Sequence, residues 1–136
     1  MQQSKNWLLS ILILNIAITS LHYTDNAIFV NQYPEPQWFT TSGVLITWII
    51  MTQIGIIGYW LYNRQNYWLS YFLLGLYAGT GLSGFAHYFY GELSQFSLKM
   101  HTLIWTDVIA GSTVVAFLTW SLLIAQEWRT TEEIQK

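Results

Sequence analysis

Four long hydrophobic runs, separated by short polar segments, dominate the pattern of the chain. A helix needs about 20 predominantly apolar residues to cross the hydrocarbon core of a bilayer. The uncharged run from Trp7 to Leu21 is shorter than that, so we extend the first span to about Asn26. The pattern predicts an all-α fold, a four-helix transmembrane bundle, as a single membrane domain over 1–136. The predicted spans are about 7–26, 39–62, 67–90 and 100–124.

The segments between these runs carry turn signals. Pro34 and Pro36 should hold the first connection extended, because proline fixes its own backbone and restricts the preceding residue. Residues 63–66 predict a tight polar turn, and residues 91–99 predict a second polar loop. We expect the polar tail from Gln126 onward to fray.

Composition supports lipid as the solvent of this chain. Only 9% of the residues are charged and 53% are hydrophobic, whereas a soluble domain carries about 25% charged residues. The formal net charge of -2, with no basic run, argues against a nucleic-acid partner. The absence of cysteine excludes disulfides, thiolate metal sites and cysteine nucleophiles.

The distribution of cations predicts how the bundle is oriented. Four spans place both termini on one side of the membrane, and only Lys99 of the five cations lies on the opposite side. Because cytoplasmic loops are enriched in lysine and arginine, we predict cytoplasmic N- and C-termini. The cations on the predicted cytoplasmic side are Lys5, Arg64, Arg129 and Lys136.

Glycines in the third span predict close contact between helices. Gly75 and Gly79 form a G-x-x-x-G pair, and Gly81 and Gly84 extend the small surface. We expect this surface to pack against another helix of the bundle or to dock a membrane-protein partner. Glycines of the second and fourth spans should also allow close packing, namely Gly55, Gly58 and Gly111.

Most of the residues that could carry chemistry fall at the predicted outer end of the bundle. Polar residues recur on one face of the first span and on one face of the third. Asp107 is the one charged residue inside a span, so it should face the interior with a partner or a proton. The first stripe is Asn15, Thr19, His22 and Asn26, and the second is Tyr77, Thr80, Gly84 and His87.

Three kinds of site fit this set. The first is a metal site for copper, zinc or iron, with ligands from three histidines and one carboxylate. The second is a haem held by His22 with His87 or His101. The third is an acid-base pocket for a lipophilic substrate, with Asp25 and Asp107 as its acids. The predicted metal ligands are His22, Asp25, His87 and His101, with Asp107 as a buried acid beneath them.

Structural roles compete with each of these assignments. Histidines at helix ends can bond loop carbonyls, and Asp107 can bond hydroxyls of neighbouring helices. We expect Glu35 and Glu92 to be solvated loop charges. Gln53, near the middle of the second span, is expected to form a hydrogen bond between helices.

Several strings in the chain resemble an uncharacterised family of small four-span bacterial membrane proteins. The resemblance runs from about Leu21 to Trp120 and rests on LHYTDN, YPEPQW, GFAHYFYG and MHTLIWTD. It implies four spans in a bacterial plasma or internal membrane and an outward His/Asp set, without implying an activity.

The architecture is also similar, more loosely, to the four-span fold of the sterol isomerases and the sigma-2 receptor. The shared features are an acid after the first span, a proline-rich link and a P-x-W entry to the second, here Pro36 to Trp38. That likeness implies intramembrane carboxylates that bind cationic or sterol-like ligands, and Asp25 and Asp107 are the matching positions. The acids are spaced differently here, so the likeness concerns architecture alone.

The leading hypothesis from the sequence is a small membrane protein with a metal or metal-containing cofactor at its outward face. An enzyme or receptor for a lipophilic small molecule is the second hypothesis. The third is an accessory subunit of a larger membrane complex, without a site of its own.

Overall fold

Four long helices form the structure, a computed structural model that describes residues 2–129. All four are long and apolar enough to cross a membrane, and no strand occurs within 2–129. The prediction of an all-α fold with four such helices is therefore confirmed. Lys136 lies outside the described residues. The helices are α1 (Gln2–Ile28), α2 (Thr41–Asn63), α3 (Tyr67–Leu82) and α4 (Leu98–Thr119).

Short helical segments complete the chain. The third span is α-helical only to Leu82 and then continues as a 3-10 helix, Ser83–Phe89, where an unbroken helix to Tyr90 was expected. Gly81 and Gly84 lie at this change, and glycine lowers the cost of leaving regular α geometry. The other short segments are 3-10 helices at Val30–Gln32 and Leu93–Gln95 and a π-helical turn at Trp120–Ile124.

Side-chain caps fix where two of the helices begin. The Thr40 hydroxyl accepts from the Gly43 amide at 3.1 Å and starts α2. The Ser97 hydroxyl accepts from the Met100 amide at 3.3 Å and starts α4. Each cap satisfies one of the orphan amides of a helix N-terminus.

The helices pack in chain order around the bundle, so that each contacts two neighbours. The end at which α1 and α3 finish and α2 and α4 begin is called the site end below, and the opposite end is the termini end. Toward the termini end the interior is an apolar core that includes Leu8, Leu12, Leu74 and Val114. The polar residues of the site end occupy the other part of the interior.

Glycines bring α3 against α4, although not the pair that the sequence singled out. A Cβ on Gly81 would lie 2.6 Å from the Asp107 carbonyl oxygen, and a Cβ on Gly111 would lie 2.8 Å from that of Ala78. By contrast, a Cβ on Gly75 or Gly79 would have nothing within 4 Å. The prediction that these two glycines pack within the bundle is wrong, because they face outward.

The second span makes its close contacts through the glycines that the sequence named. A Cβ on Gly55 would lie 2.8 Å from Cγ of Tyr77, and a Cβ on Gly58 would lie 2.9 Å from Cγ of Leu74. Gln53 of the same helix is exposed on the outside of the bundle. The prediction that Gln53 bonds between helices is therefore wrong for the contacts within this chain.

The beginning of the C-terminal tail folds back onto the termini end. Gln126 has a positive φ of 48°, which reverses the chain after the π-helical turn. Glu127 is then buried, where it accepts hydrogen bonds from the Tyr62 hydroxyl and, at 2.7 Å, from the Ser121 hydroxyl. The expectation of a frayed tail is wrong at Glu127, because these hydroxyls hold it in place.

Candidate functional site

A pocket of about 380 Å³ lies at the site end of the bundle. All four long helices contribute to its wall, and α1, the 3-10 segment Ser83–Phe89 and α4 supply its ionisable groups. The lining residues are His22, Tyr23, Asn26, Trp38, Phe39, Thr40, Gly43, Val44, Thr47, Thr80, Ser83, Gly84, Ala86, His87, Tyr90 and Asp107.

His22 and Asp107 form the innermost pair of this wall. Nδ1 of His22 lies 2.7 Å from Oδ2 of Asp107, and the two side chains are 3% and 0% exposed. A carboxylate can only accept, so Nδ1 is the donor to an ionised Asp107. Nε2 of His22 is buried without a hydrogen-bond partner among the described residues.

The backbone opposite this pair is open because position 84 is a glycine. A Cβ there would lie 3.6 Å from Cε1 of His22 and 3.8 Å from Oδ2 of Asp107. Any larger side chain would press on both partners. Gly84 therefore belongs to the pocket and not to an outer face shared with Gly75 and Gly79.

His87 and Glu35 form a second histidine-carboxylate pair. Nδ1 of His87 lies 2.6 Å from Oε1 of Glu35, and the Glu35 side chain is only 2% exposed. The contact is short, but the ring nitrogen is not aligned as a hydrogen-bond donor to that oxygen. The same Oε1 accepts from the Asn26 amide at 2.7 Å. The prediction that Glu35 is a solvated charge is wrong, since two side chains of the bundle hold it.

The two pairs are neighbours. The ring centroids of His22 and His87 lie 5.3 Å apart, and both rings line the pocket. Glu35 lies behind His87 and Asn26, while Asp107 reaches the pocket wall. Two imidazoles, each with a carboxylate at Nδ1, thus stand side by side at one wall of a single cavity. His22 with Asp107 has the arrangement of a base with its orienting group.

Asp25 belongs to a different cluster, outside the pocket. Its Oδ1 accepts from Nζ of Lys99 at 2.7 Å, and its Oδ2 accepts from the Tyr33 hydroxyl at 2.9 Å. Nζ of Lys99 also lies 3.8 Å from the centroid of the Phe29 ring. These contacts tie the start of α4 to the end of α1 and to the first connection.

Burial and the contact with Asp25 change the acidity of the Tyr33 phenol. Tyr33 is 4% exposed and lies in the connection between α1 and α2. Burial first, and then the hydrogen bond to Asp25, raise the pKa of Tyr33 well above its ordinary value of about 10. The phenol therefore stays protonated and acts as a fixed donor to Asp25.

His101 also lies outside the pocket. Its Nδ1 is 2.8 Å from the hydroxyl of Tyr88, and the two rings stack with centroids 5.5 Å apart. Phe96 packs against the same pair. Glu92 is exposed, as expected, and its side chain caps the 3-10 turn that follows it.

The proposed metal ligands are thus divided between three places. His22 and His87 share the pocket, Asp25 pairs with Lys99, and His101 pairs with Tyr88. Within 2–129, no group of three or more His, Asp or Glu side chains is arranged to hold a metal ion. The histidines that do come together are paired with carboxylates through Nδ1.

Exposed lining residues mark the mouth of the pocket. Trp38 is 72% exposed and Tyr90 is 45% exposed. Gly43 and Thr47 of α2, and Ser83 of the third span, are also exposed lining residues. The opening therefore runs between the first turns of α2 and the 3-10 segment Ser83–Phe89.

Sequence reasoning missed Glu35 as a member of the site. Its neighbours Pro34 and Pro36 indicate an extended connection but not the direction of the glutamate side chain. The available signal was that a carboxylate stands alone in an aromatic, otherwise uncharged stretch, YPEPQW. The two polar stripes did predict His22 and His87, whose rings are neighbours in the structure, with their planes tilted by 56°.

Comparison of the chain with family models, with curated proteins and with solved structures gave no match. The class of protein rests on the fold alone: an all-helical chain with four helices of membrane-spanning length and composition.

Proposed function

We propose that this protein binds a lipophilic small molecule in the pocket at the site end and transfers protons to and from it. The observation that carries the proposal is the buried, unpartnered Nε2 of His22, in a ring whose Nδ1 is bonded to Asp107. A buried polar atom without a partner is uncommon unless it serves a function. His22 lines the cavity that a substrate would fill, and four other lining residues also have a buried polar atom without a hydrogen-bond partner among the described residues, namely Asn26, Thr80, His87 and Asp107.

The proposed chemistry needs no group beyond those in the pocket. The neutral His22 ring takes a proton at Nε2, and the imidazolium that forms is stabilised by the Asp107 carboxylate. His87, with Glu35 behind it, is close enough to return a proton to the same molecule. The acids of the site are therefore Asp107 and Glu35, and Asp25 has a structural role.

The lining also favours a class of ligand. It contains two aromatic rings at the mouth, Trp38 and Phe39, and it contains neither lysine nor arginine. An anionic head group would meet Asp107 without a cation to balance it. The ligand is therefore a neutral or cationic lipophile, and the mouth between α2 and the 3-10 segment lets it arrive from the bilayer.

We propose the same topology for the membrane as the cation distribution suggests. Lys5, Arg64 and Arg129 lie at the termini end and Lys99 at the site end, so the termini end is cytoplasmic and the pocket faces outward. The membrane is a bacterial plasma or internal membrane.

Binding is tested by filling the pocket. The Thr47→Trp variant places an indole in the mouth, and Thr106→Trp places the same group at an exposed position of α4 outside the pocket. We expect wild type and Thr106→Trp, purified in mild detergent, to retain the same lipophilic molecule by mass spectrometry. Thr47→Trp should lose it. Equal retention by both variants would contradict binding in this pocket.

Proton transfer is tested on the molecule that co-purifies. In D2O, the wild type should place deuterium on its exchangeable carbon or convert it to a product. His22→Gln should abolish this, whereas His101→Gln should not, because His101 lies outside the pocket. Loss of the reaction in both variants, or in neither, would argue against His22 as the acid-base group.

Elemental analysis of the same samples tests the competing metal hypothesis. The acid-base proposal expects no stoichiometric copper, zinc or iron in the wild type. Near-stoichiometric metal that disappears in the His22→Ala/His87→Ala double variant would replace that proposal with a metal or haem site.

A further inference from the structure

The outer face of α2 carries a regular pattern of exposed residues that its own bundle does not use. Ile46, Ile49, Ile56 and Trp60 are each between 44% and 55% exposed, and Gln53 is exposed between them. Ile50 and Ile57 of the same helix are equally exposed, at 53% and 47%, so Gln53 and not exposure selects the seam. Through Gln53, the spacing 46, 49, 53, 56, 60 alternates steps of three and four, as the a/d repeat of a helix that packs along a second helix does.

Gln53 is out of place on a lipid-facing surface. It is twelve residues after Thr41 and ten before Asn63, so at the helical rise it lies ~18 Å and ~15 Å from the two ends of α2. Its short side chain cannot reach either interface. The amide makes no hydrogen bond to the described residues, and an unsatisfied polar group in hydrocarbon is costly.

We infer that α2 pairs with α2 of a second copy of this chain, with Gln53 hydrogen-bonded to Gln53 at the centre of the interface. All copies have the same orientation in a membrane, so a two-fold axis along the membrane normal places identical residues at identical depth. A glutamine amide both donates and accepts, so it is complementary to itself. The isoleucines on either side pack as the a and d residues of a parallel pair.

A single polar residue at an a position also fixes the register of a helix pair. Sliding α2 by one turn against its partner would leave two glutamine amides in hydrocarbon without partners. The interface is therefore expected to be specific even though its apolar part resembles the lipid that it displaces.

Disulfide cross-linking in native membranes tests the geometry, and the chain helps because it contains no cysteine. Ile49→Cys and Ile56→Cys place thiols on the proposed seam. Ile50→Cys and Ile57→Cys place them at almost the same depth but about 100° around the helix. We expect oxidised dimers from the first two and little from the last two. Equal cross-linking at all four positions, none at any, or a product with another protein would overturn the inference.

The role of Gln53 is tested by measuring association in liposomes by energy transfer as the lipid-to-protein ratio rises. Gln53→Leu should weaken association by about 3-fold to 30-fold, the range for hydrogen bonds between helices in membranes. Gln53→Asn keeps an amide and should retain most of the affinity. Because Gln53 is exposed, both variants should fold. Association of Gln53→Leu equal to wild type would overturn the inference.

Discussion

A histidine becomes a defined base only when one of its nitrogens is fixed. Asp107 performs this role for His22 through a hydrogen bond to Nδ1. Glu35 lies 2.6 Å from Nδ1 of His87 but is not hydrogen-bonded to it. The Asp107 carboxylate is buried, so it holds its imidazole more firmly than a surface acid would. The His22 ring therefore keeps its orientation while a neutral molecule occupies the pocket.

Replacing Asp107 with asparagine should remove the constraint that keeps His22 in a single tautomer. An amide can donate as well as accept, so Nδ1 is no longer required to carry the proton. In 15N spectra of histidine side chains, wild-type His22 should show a protonated Nδ1 and a bare Nε2, and Asp107→Asn should show a mixture. Proton transfer to the co-purified molecule should fall at least ~100-fold. The His101 signals serve as the control, and an unchanged His22 tautomer would contradict the assigned role of Asp107.

Tyr33 makes a separate prediction about pH. Its pKa is raised by burial and by Asp25, so above pH ~10 the folded state holds a proton that the unfolded chain releases. Stability from this group is complete below that pH and is lost as the pH rises further. The loss is at most about 1.4 kcal/mol per pH unit.

The Tyr33→Phe variant isolates this contribution. It should be less stable than wild type at pH 8 by about 1 kcal/mol, through loss of the bond to Asp25. Between pH 10 and 11 its unfolding free energy should fall less steeply than that of wild type. The other tyrosines are the same in both proteins, so their contributions cancel in the comparison. If the unfolding free energies of the two proteins fell in parallel between pH 10 and 11, the pKa of Tyr33 would not be raised in the folded state.

At the residue scale, the sequence predicted the polar stripes well and the partners less well. His22 and His87 follow from helical spacing, because residues on one face of a buried helix must meet another helix. Asp25 and His101 have equally suggestive positions, but in the structure they pair with Lys99 and Tyr88. Glu35 could not be predicted, since its burial depends on how the connection folds over the bundle.

At the level of elements, the junction of α3 and α4 determines the shape of the site. Gly81 and Gly111 let the backbones of α3 and α4 approach closely beside Asp107. That approach brings Asp107 into reach of His22 on α1. Glycines at other positions of α3 have no such effect, because they face outward.

Gly81→Ala should therefore destabilise the protein, whereas Gly79→Ala should not. Both positions lie in α3, so both substitutions gain the same helix propensity, up to about 1 kcal/mol. Only the Cβ at position 81 meets backbone, at 2.6 Å from the Asp107 carbonyl oxygen. We expect Gly81→Ala to be about 1–3 kcal/mol less stable than Gly79→Ala by reversible unfolding in detergent. Equal stabilities would mean that α3 and α4 separate without cost.

The four helices could be predicted from the sequence because few structures other than a helix can cross a lipid bilayer. A long uncharged run must be helical in a membrane, since every backbone amide needs a partner within its own segment. The change to a 3-10 helix at Ser83–Phe89 was not accessible, because it depends on contact with α4. The same holds for the return of Glu127 to Tyr62, which a polar tail does not suggest.

On the scale of the whole molecule, the apolar core and the candidate site occupy opposite ends of the bundle. Apolar side chains and tyrosines fill the termini end, whereas both histidine-carboxylate pairs lie at the site end. Such a division gives the proposed reaction access from one leaflet only. Which leaflet that is depends on the orientation of the bundle, and the cations predict it.

Cysteine labelling decides the orientation, again in a chain without native cysteine. Ser94→Cys lies in the connection at the site end, and Asn66→Cys lies in the turn between α2 and α3; both residues are exposed. Neither substitution removes a charge, so the cation balance that sets the topology is preserved. In intact cells an impermeant maleimide should label Ser94→Cys almost completely and Asn66→Cys only after permeabilisation. The reverse pattern would place the pocket on the cytoplasmic side and its lipophilic ligand in the inner leaflet.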